Sequence, residues 1–218
     1  MQEISEKLLE FLLIGNKIKA DKIFNEIFQK ENPFILLEKT LIEVMDKVGD
    51  LWELQEISLA QYYLVGVICE ELFKKYTEKT NVLGKIQKQQ KLNLAIVTLE
   101  DYHGLGRKIV LSFLNSAGFE IKDYGLGKTV NEVFERSLRD KIDILLVSTL
   151  MLPAALKVKE LVKKLKEKKP EIKIVVGGAP FRIDENLWKE VEADEFGETA
   201  SEAVKIVRRM VEHEKSNI

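Results

Sequence analysis

The sequence predicts an α/β protein in two parts: an all-α bundle of four helices, then a doubly wound parallel sheet of five strands. Three observations predict it. Apolar residues before residue 80 recur at helical spacing. After residue 91, short apolar runs rich in β-formers alternate with helical segments. Between the two lies a polar stretch that follows neither pattern.

The helices come first. Leu8, Leu9, Leu12 and Leu13 form one apolar stripe, and Gly15 follows as a C-terminal stop. Ile18, Ile23, Phe24, Ile27 and Phe28 form a second. A third opens at Asn32-Pro33 and runs through Leu36, Leu37, Leu41, Val44, Met45 and Val48. The fourth follows Ser58, an N-cap, and carries Leu59, Tyr62, Tyr63, Val67, Ile68 and Leu72. Short connections make these a four-helix bundle over residues 1–80. Residues 81–91 are polar with no apolar face and read as an interdomain linker.

The second domain is expected over residues 92–218. Its strands are predicted at Leu92–Thr98, Phe119–Ile121, Ile142–Ser148, Ile172–Val176 and Ala193–Phe196. Helices are predicted at Gly106–Ala117, Val130–Asp140, Ala154–Lys168 and Thr199–Glu214. This alternation implies a Rossmann-like sheet in the flavodoxin-like order, whose ligands bind beyond the carboxyl ends of the strands.

Composition narrows the function. The chain has 218 residues, 45% hydrophobic and 32% charged, as in a soluble globular protein. Its 34 basic residues face 36 acidic ones, so no positive excess points to nucleic acid or to a membrane as partner. The single cysteine, Cys69, excludes an internal disulfide, suits a reducing cytoplasm and reads as a buried inert thiol. Glu3 and Glu6 stand where a signal peptide would be basic, and no apolar run approaches the ~20 residues of a membrane span. The expected location is the cytoplasm.

The strand ends carry the chemistry. The first leads into Asp101-Tyr102-His103-Gly104-Leu105-Gly106, which holds one of only two histidines. A metal-bound imidazole is usually held through its other nitrogen by a carboxylate, and an Asp-x-His pair on a loop supplies that geometry. Gly104 and Gly106 let the backbone bend and approach a large ligand. The third strand ends in Ser148-Thr149-Leu150-Met151, with hydroxyls able to donate to a ligand. The fourth ends in Gly177-Gly178-Ala179, bare backbone against which something flat can lie. The fifth leads into Phe196-Gly197.

Two motifs point elsewhere and fail. Gly125-Leu126-Gly127-Lys128-Thr129 suggests a phosphate loop, but the glycine required five positions before Gly127 is Lys122. Glu100-Asp101 is similar to the acidic pair of a phospho-receiver, but the acceptor aspartate of that class is replaced by Ser148.

Asp101, His103 and Gly106 match an Asp-x-His-x-x-Gly motif, Ser148 and Leu150 a Ser-x-Leu motif, and Gly177-Gly178 a glycine pair. In this order they resemble the cobalamin-binding family of methionine synthase, corrinoid methyl carriers and carbon-skeleton mutases. The resemblance implies that cobalamin (vitamin B12) binds base-off, with His103 as axial ligand to cobalt and Asp101 behind it. The nucleotide tail would lie near Ser148 and Gly177-Gly178. The implied cofactor-binding set is Asp101 to Gly106, Ser148, Leu150, Met151, Gly177, Gly178, Ala179, Phe196 and Gly197.

Val48-Gly49-Asp50-Leu51-Trp52, followed by Ile57-Ser58-Leu59, resembles the helical cap of the methyl-transferring branch. That resemblance implies Trp52, Leu59 and Tyr63 over the upper face of the corrin, and favours methyl transfer over radical rearrangement. Three positions depart from the pattern: Gln55 stands near an expected glycine, Ala60 where proline is common, and Ala154 where a relay serine stands in methionine synthases. The cap loop is therefore expected to differ in shape, and proton supply to the His103–Asp101 pair to be weaker or routed through water.

The implied function is a corrinoid methyl carrier of one-carbon metabolism, not a catalyst alone. It would pass a methyl group from a donor-specific methyltransferase to an acceptor methyltransferase using tetrahydrofolate or a thiol, with a reductive activase as third partner. Its cofactor would cycle between cob(I)alamin and methylcobalamin, with hydroxocobalamin as an oxidised form. The alternative is a cobalamin-dependent sensor acting through protein contacts; no helix-turn-helix segment precedes the bundle.

Overall fold

A computed structural model describes residues 2–30, 33–79 and 92–216. The chain divides into two compact units, Met1–Gln89 with Ser112–Phe119, and Gln90–Leu111 with Glu120–Ile218. The expected linker at 81–91 and Asn32 lie outside the described residues.

The helical unit contains α1 (Gln2–Leu13), α2 (Lys17–Phe28), α3 (Pro33–Glu53) and α4 (Leu59–Lys79). Leu8, Leu12, Phe24, Ile27, Leu37, Val48, Val65 and Cys69 are fully buried and form its core. Burial raises the Cys69 thiol pKa well above its ordinary value, as suits an inert packing residue. Gly15 (φ 68°) turns the chain out of α1, while the Asn16 N–H donates to the Phe11 carbonyl at 2.8 Å. Ser58 and Gln61 cap α4 reciprocally: the Gln61 N–H donates to Ser58 Oγ at 3.2 Å, and the Ser58 N–H to Gln61 Oε1 at 3.0 Å. The second half of α5 (Leu105–Ser116) belongs to this unit. There Glu70 accepts from Ser112 Oγ at 2.7 Å and from Asn115 Nδ2 at 2.8 Å, and the Phe113 ring packs 5.1 Å from that of Tyr62.

The end of α3 shows how the missing glycine is accommodated. Gln55 takes φ 59°, the conformation glycine favours, and the Glu56 N–H donates to the Leu51 carbonyl at 2.9 Å. The backbone therefore keeps the shape of a glycine-capped helix end although the glycine is missing. Gln55→Gly is expected to stabilise the protein by about 0.5–1 kcal/mol and raise Tm by about 2–4 °C in a thermal melt.

The α/β unit follows β1 (Leu94–Thr98), the start of α5, β2 (Ile121–Asp123), α6 (Val130–Arg139), β3 (Ile144–Ser148), α7 (Leu152–Lys168), β4 (Lys173–Gly177), α8 (Ala179–Ile183), α9 (Leu187–Glu190), β5 (Glu195–Phe196) and α10 (Ala200–Ser216). The sheet order is β2-β1-β3-β4-β5, all parallel, the flavodoxin-like order expected. Strands β1 and β3 are buried along nearly their whole length, as a sheet covered on both faces requires. Thr98, Ser148 and Gly177 lie in register, so the ends of β1, β3 and β4 form one edge, on either side of the point where strand order reverses.

The differences from expectation have local causes. The second strand begins at Ile121, not Phe119, because Gly118 (φ 85°) ends α5 and the Phe119 N–H is bound to the Leu114 carbonyl at 3.0 Å. The helix expected from Ala154 begins at Leu152, where the two residues before it, Leu150 and Met151, are anchored through their amides to a carboxylate far away in sequence. The two short helices α8 and α9 lack enough turns to show a periodicity. No helix among the described residues is long and apolar enough to cross a membrane.

Candidate functional site

Past Thr98 the chain stays paired with the loop between β2 and α6. The Glu100 N–H donates to the Lys128 carbonyl at 2.9 Å, and the Gly127 N–H to the Asp101 carbonyl at 2.8 Å. This pairing carries β1 onward until the Asp101 side chain, 1% exposed, turns inward.

The Asp101 carboxylate organises the site. Its Oδ1 accepts from the His103 backbone N–H at 2.9 Å and lies 2.6 Å from His103 Nδ1. Its Oδ2 accepts from the backbone N–H groups of Leu150 at 2.7 Å and Met151 at 2.9 Å. Met151 offers no side-chain cap to α7, so Asp101 supplies the anion that this helix N-terminus favours. Burial alone would raise the Asp101 pKa, but the hydrogen bonds from His103, Leu150 and Met151 outweigh it and bring it down to about 2.

An ionised Asp101 fixes the imidazole. Nδ1 carries the hydrogen that the carboxylate accepts, which leaves the Nε2 lone pair free to bind a metal. The His103 side chain is 57% exposed, so that lone pair is accessible. The loops at this edge and the start of α7 carry Tyr102, Leu105, Leu126, Leu150, Met151 and Leu152, all exposed, from 39% for Leu126 to 79% for Tyr102. An exposed apolar set of this kind marks a binding surface.

Ala154 is buried, as its place on the inner side of α7 requires. Asp101 Oδ2 instead accepts from the Leu150 and Met151 amides. His103 is thus supported by a carboxylate that backbone groups hold in place.

The hydroxyls at the strand ends differ. Thr98 and Thr149 are buried, and the Oγ1 of each has no hydrogen-bond partner among the described residues. Buried hydroxyls without partners are costly, and a polar ligand group would satisfy them. Ser148 is half-buried, with its Oγ 3.4 Å from where a Cβ on Gly106 would stand.

The paired glycines also have a reason within the fold itself. A Cβ on Gly177 would lie 3.0 Å from the Gly197 carbonyl, and one on Gly178 (φ 116°) would run into the Thr149 carbonyl. The space they leave is used by the chain's own backbone, which brings the loops after β3, β4 and β5 together. Ala179 opens α8, and Phe196 packs on Phe181 with ring centroids 6.3 Å apart. In the helical unit, Trp52 stacks on Tyr62 at 5.4 Å, Tyr63 is half-buried and Leu59 is exposed.

Thr98, Leu126 and Gly127 were not singled out as site residues from the sequence. Thr98 sits inside a strand pattern, and the other two belong to the rejected phosphate loop. Only the extended pairing beside β1 brings them to the histidine.

A cobalt-containing macrocycle fits these residues. His103 offers one donor atom while Asp101 is fully occupied by hydrogen bonds, so these residues could give one nitrogen ligand to a metal whose other ligands come with the cofactor. The apolar surroundings suit a flat macrocycle, and the unpartnered hydroxyls suit a polar tail.

The comparisons with known proteins agree. Residues 93–205 match the family model described as B12 binding domain, and residues 4–75 match a second model of that description. The chain is 31% identical to monomethylamine corrinoid protein 1 of Methanosarcina mazei, with 94% of this chain and 96% of that protein covered. It is 30% identical to the trimethylamine corrinoid protein of Methanosarcina barkeri, covering 95% and 96%. In fold it is similar to a crystal structure of a cobalamin-binding protein from Desulfitobacterium hafniense, with a TM-score of 0.75, 21% identity and coverage of 94% and 97%. Matched by family models across both units and by full-length relatives, this chain belongs to the B12-binding corrinoid proteins of methyltransferase systems.

Proposed function

We propose that this protein is a methyl carrier, holding cobalamin base-off with His103 as lower ligand and passing a methyl group between a donor-specific methyltransferase and an acceptor methyltransferase. The observation that carries this reading is the His103 imidazole, anchored through Nδ1 to the buried Asp101 carboxylate and open at Nε2 amid exposed apolar side chains. When bound, the cofactor supplies a metal centre that accepts and releases a methyl group.

The chain's own residues do the rest. His103 would hold the cofactor through the Nε2 lone pair, and Asp101 would fix the tautomer and orientation of the ring. Tyr102, Leu105, Leu126, Leu150 and Met151 provide apolar contact and exclude water. Thr98, Ser148 and Thr149 offer hydroxyls to the polar tail. The donor class is left to the partner enzyme; two relatives named for different methylamines support that division of labour. The acceptor reaction uses tetrahydrofolate or a thiol, a reductive activase restores the oxidised carrier, and the cell compartment is the cytoplasm.

The test is to load the protein with hydroxocobalamin, reduce it, and add methyltransferases encoded beside its gene with mono-, di- or trimethylamine, methanol, aryl methyl ethers or betaines in turn. Donor-dependent spectral change, followed by methylation of tetrahydrofolate or a thiol over several turnovers, is expected. A loaded protein that takes no methyl group from any of them but binds a non-methyltransferase partner in a cofactor-dependent way would instead be a sensor.

A further inference from the structure

The Gly125–Thr129 segment fails as a phosphate loop, and the fold gives it another use. Its backbone pairs with the end of β1 through the Thr98 N–H to the Gly125 carbonyl (2.9 Å), the Glu100 N–H to the Lys128 carbonyl (2.9 Å) and the Gly127 N–H to the Asp101 carbonyl (2.8 Å). This sets residues 126 and 127 beside the two neighbours of His103.

Both contacts are of a large side chain against a glycine. The Tyr102 ring lies on Gly127 so closely that a Cβ there would stand 2.5 Å from Cε1 and 2.7 Å from Cζ. Gly127 has φ 60°, so the backbone conformation and the lack of a side chain are both required. On the other side, the Leu126 side chain fills the space over Gly104, where a Cβ would run into its Cδ2. Tyr102 is 79% exposed in spite of this packing, so apolar burial does not account for its place.

We infer that Leu126 and Gly127 are positioning residues for His103, clamping Tyr102 and Gly104 from outside while Asp101 holds the histidine from within. This deepens the reading of His103 as the cofactor's lower ligand and rests on it. With its backbone N–H and Nδ1 both on Asp101 and both neighbours interlocked, the imidazole is confined to one orientation. Such confinement is what a ligand-binding side chain needs from its surroundings.

The test is a double-substitution cycle of Gly127→Ala, Tyr102→Ala and both together, in the full chain. Two quantities are read: amide exchange of the His103 N–H in the cofactor-free protein, and the cobalamin dissociation constant with the visible spectrum after loading with hydroxocobalamin. Gly127→Ala alone is expected to speed that exchange and weaken binding by about tenfold each, within the range for coupled contacting residues. Tyr102→Ala alone opens the same clamp and is expected to lose as much, and the double substitution is expected to lose little more than either single one. Backbone strain at position 127 is common to both proteins carrying Gly127→Ala and cancels. If Gly127→Ala does not fold, Gly104→Ala with Leu126→Ala forms the equivalent cycle.

Purely additive effects on both readouts, in a protein whose spectrum responds to His103→Ala, overturn the clamp. A wild-type spectrum indifferent to His103→Ala overturns the ligand reading and the clamp's role toward the cofactor. Coupling in the amide exchange would then still decide whether the interlock holds the loop.

Discussion

Asp101→Asn is expected to cost the cofactor-free protein about 3 kcal/mol, the range for removing one side of a buried charged network. The carboxylate accepts from three backbone N–H groups, those of His103, Leu150 and Met151, and from the His103 ring. An amide in its place turns an NH2 toward donors and leaves at least one of these N–H groups without its carboxylate acceptor. It also removes the anion at the N-terminus of α7. Urea unfolding of the two proteins measures the difference, and a change below about 0.5 kcal/mol would show that water replaces these bonds freely.

The same carboxylate sets an acid limit. Its pKa in the folded protein is about 2, below the ordinary 3.8, so the unfolded chain binds its proton more tightly. The stabilisation is therefore fully present above about pH 4–5 and is lost as pH falls from there through the folded pKa near 2. At about 1.4 kcal/mol per unit, this one group accounts for roughly 2 kcal/mol. The wild-type and Asp101→Asn stability curves should converge across that interval.

His103→Ala should separate binding from folding. The histidine side chain is more than half exposed, so its removal should change the stability of the cofactor-free protein by less than about 1 kcal/mol. Cobalamin affinity should fall by about tenfold to a hundredfold, as when metal-site support is lost, and the visible spectrum should move to that of cobalamin without a nitrogen lower ligand. Asp101→Asn should give weakened binding with instability, and His103→Ala weakened binding without it. An unchanged spectrum in His103→Ala would remove the histidine from the metal.

Much of this was legible along the chain. The four helical stripes, the caps at Gly15 and Ser58, the alternation of β1, β3 and β4 with helices, and the Asp101–His103 pair are all written in local spacing. Local spacing is enough there because helix and strand periods, and a two-residue separation on a loop, are properties of neighbouring residues. The edges blurred where long-range contacts set them. The start of α7 depends on a carboxylate some 50 residues earlier in sequence, and β5 is only a two-residue strand held by β4.

The sequence by itself determined the fold class and pointed to His103, at the end of β1, as the proposed ligand. Only the tertiary structure decided how that histidine is held. Parallel pairing beside β1 brings Gly127 to Tyr102 and Leu126 to Gly104, while the two residues before α7, Leu150 and Met151, present their amides to Asp101. It also gave Gly177 and Gly178 their reason, the close approach of the Gly197 and Thr149 carbonyls. These are contacts between segments far apart in the chain. Their partners are chosen by strand order and register, which no local pattern records.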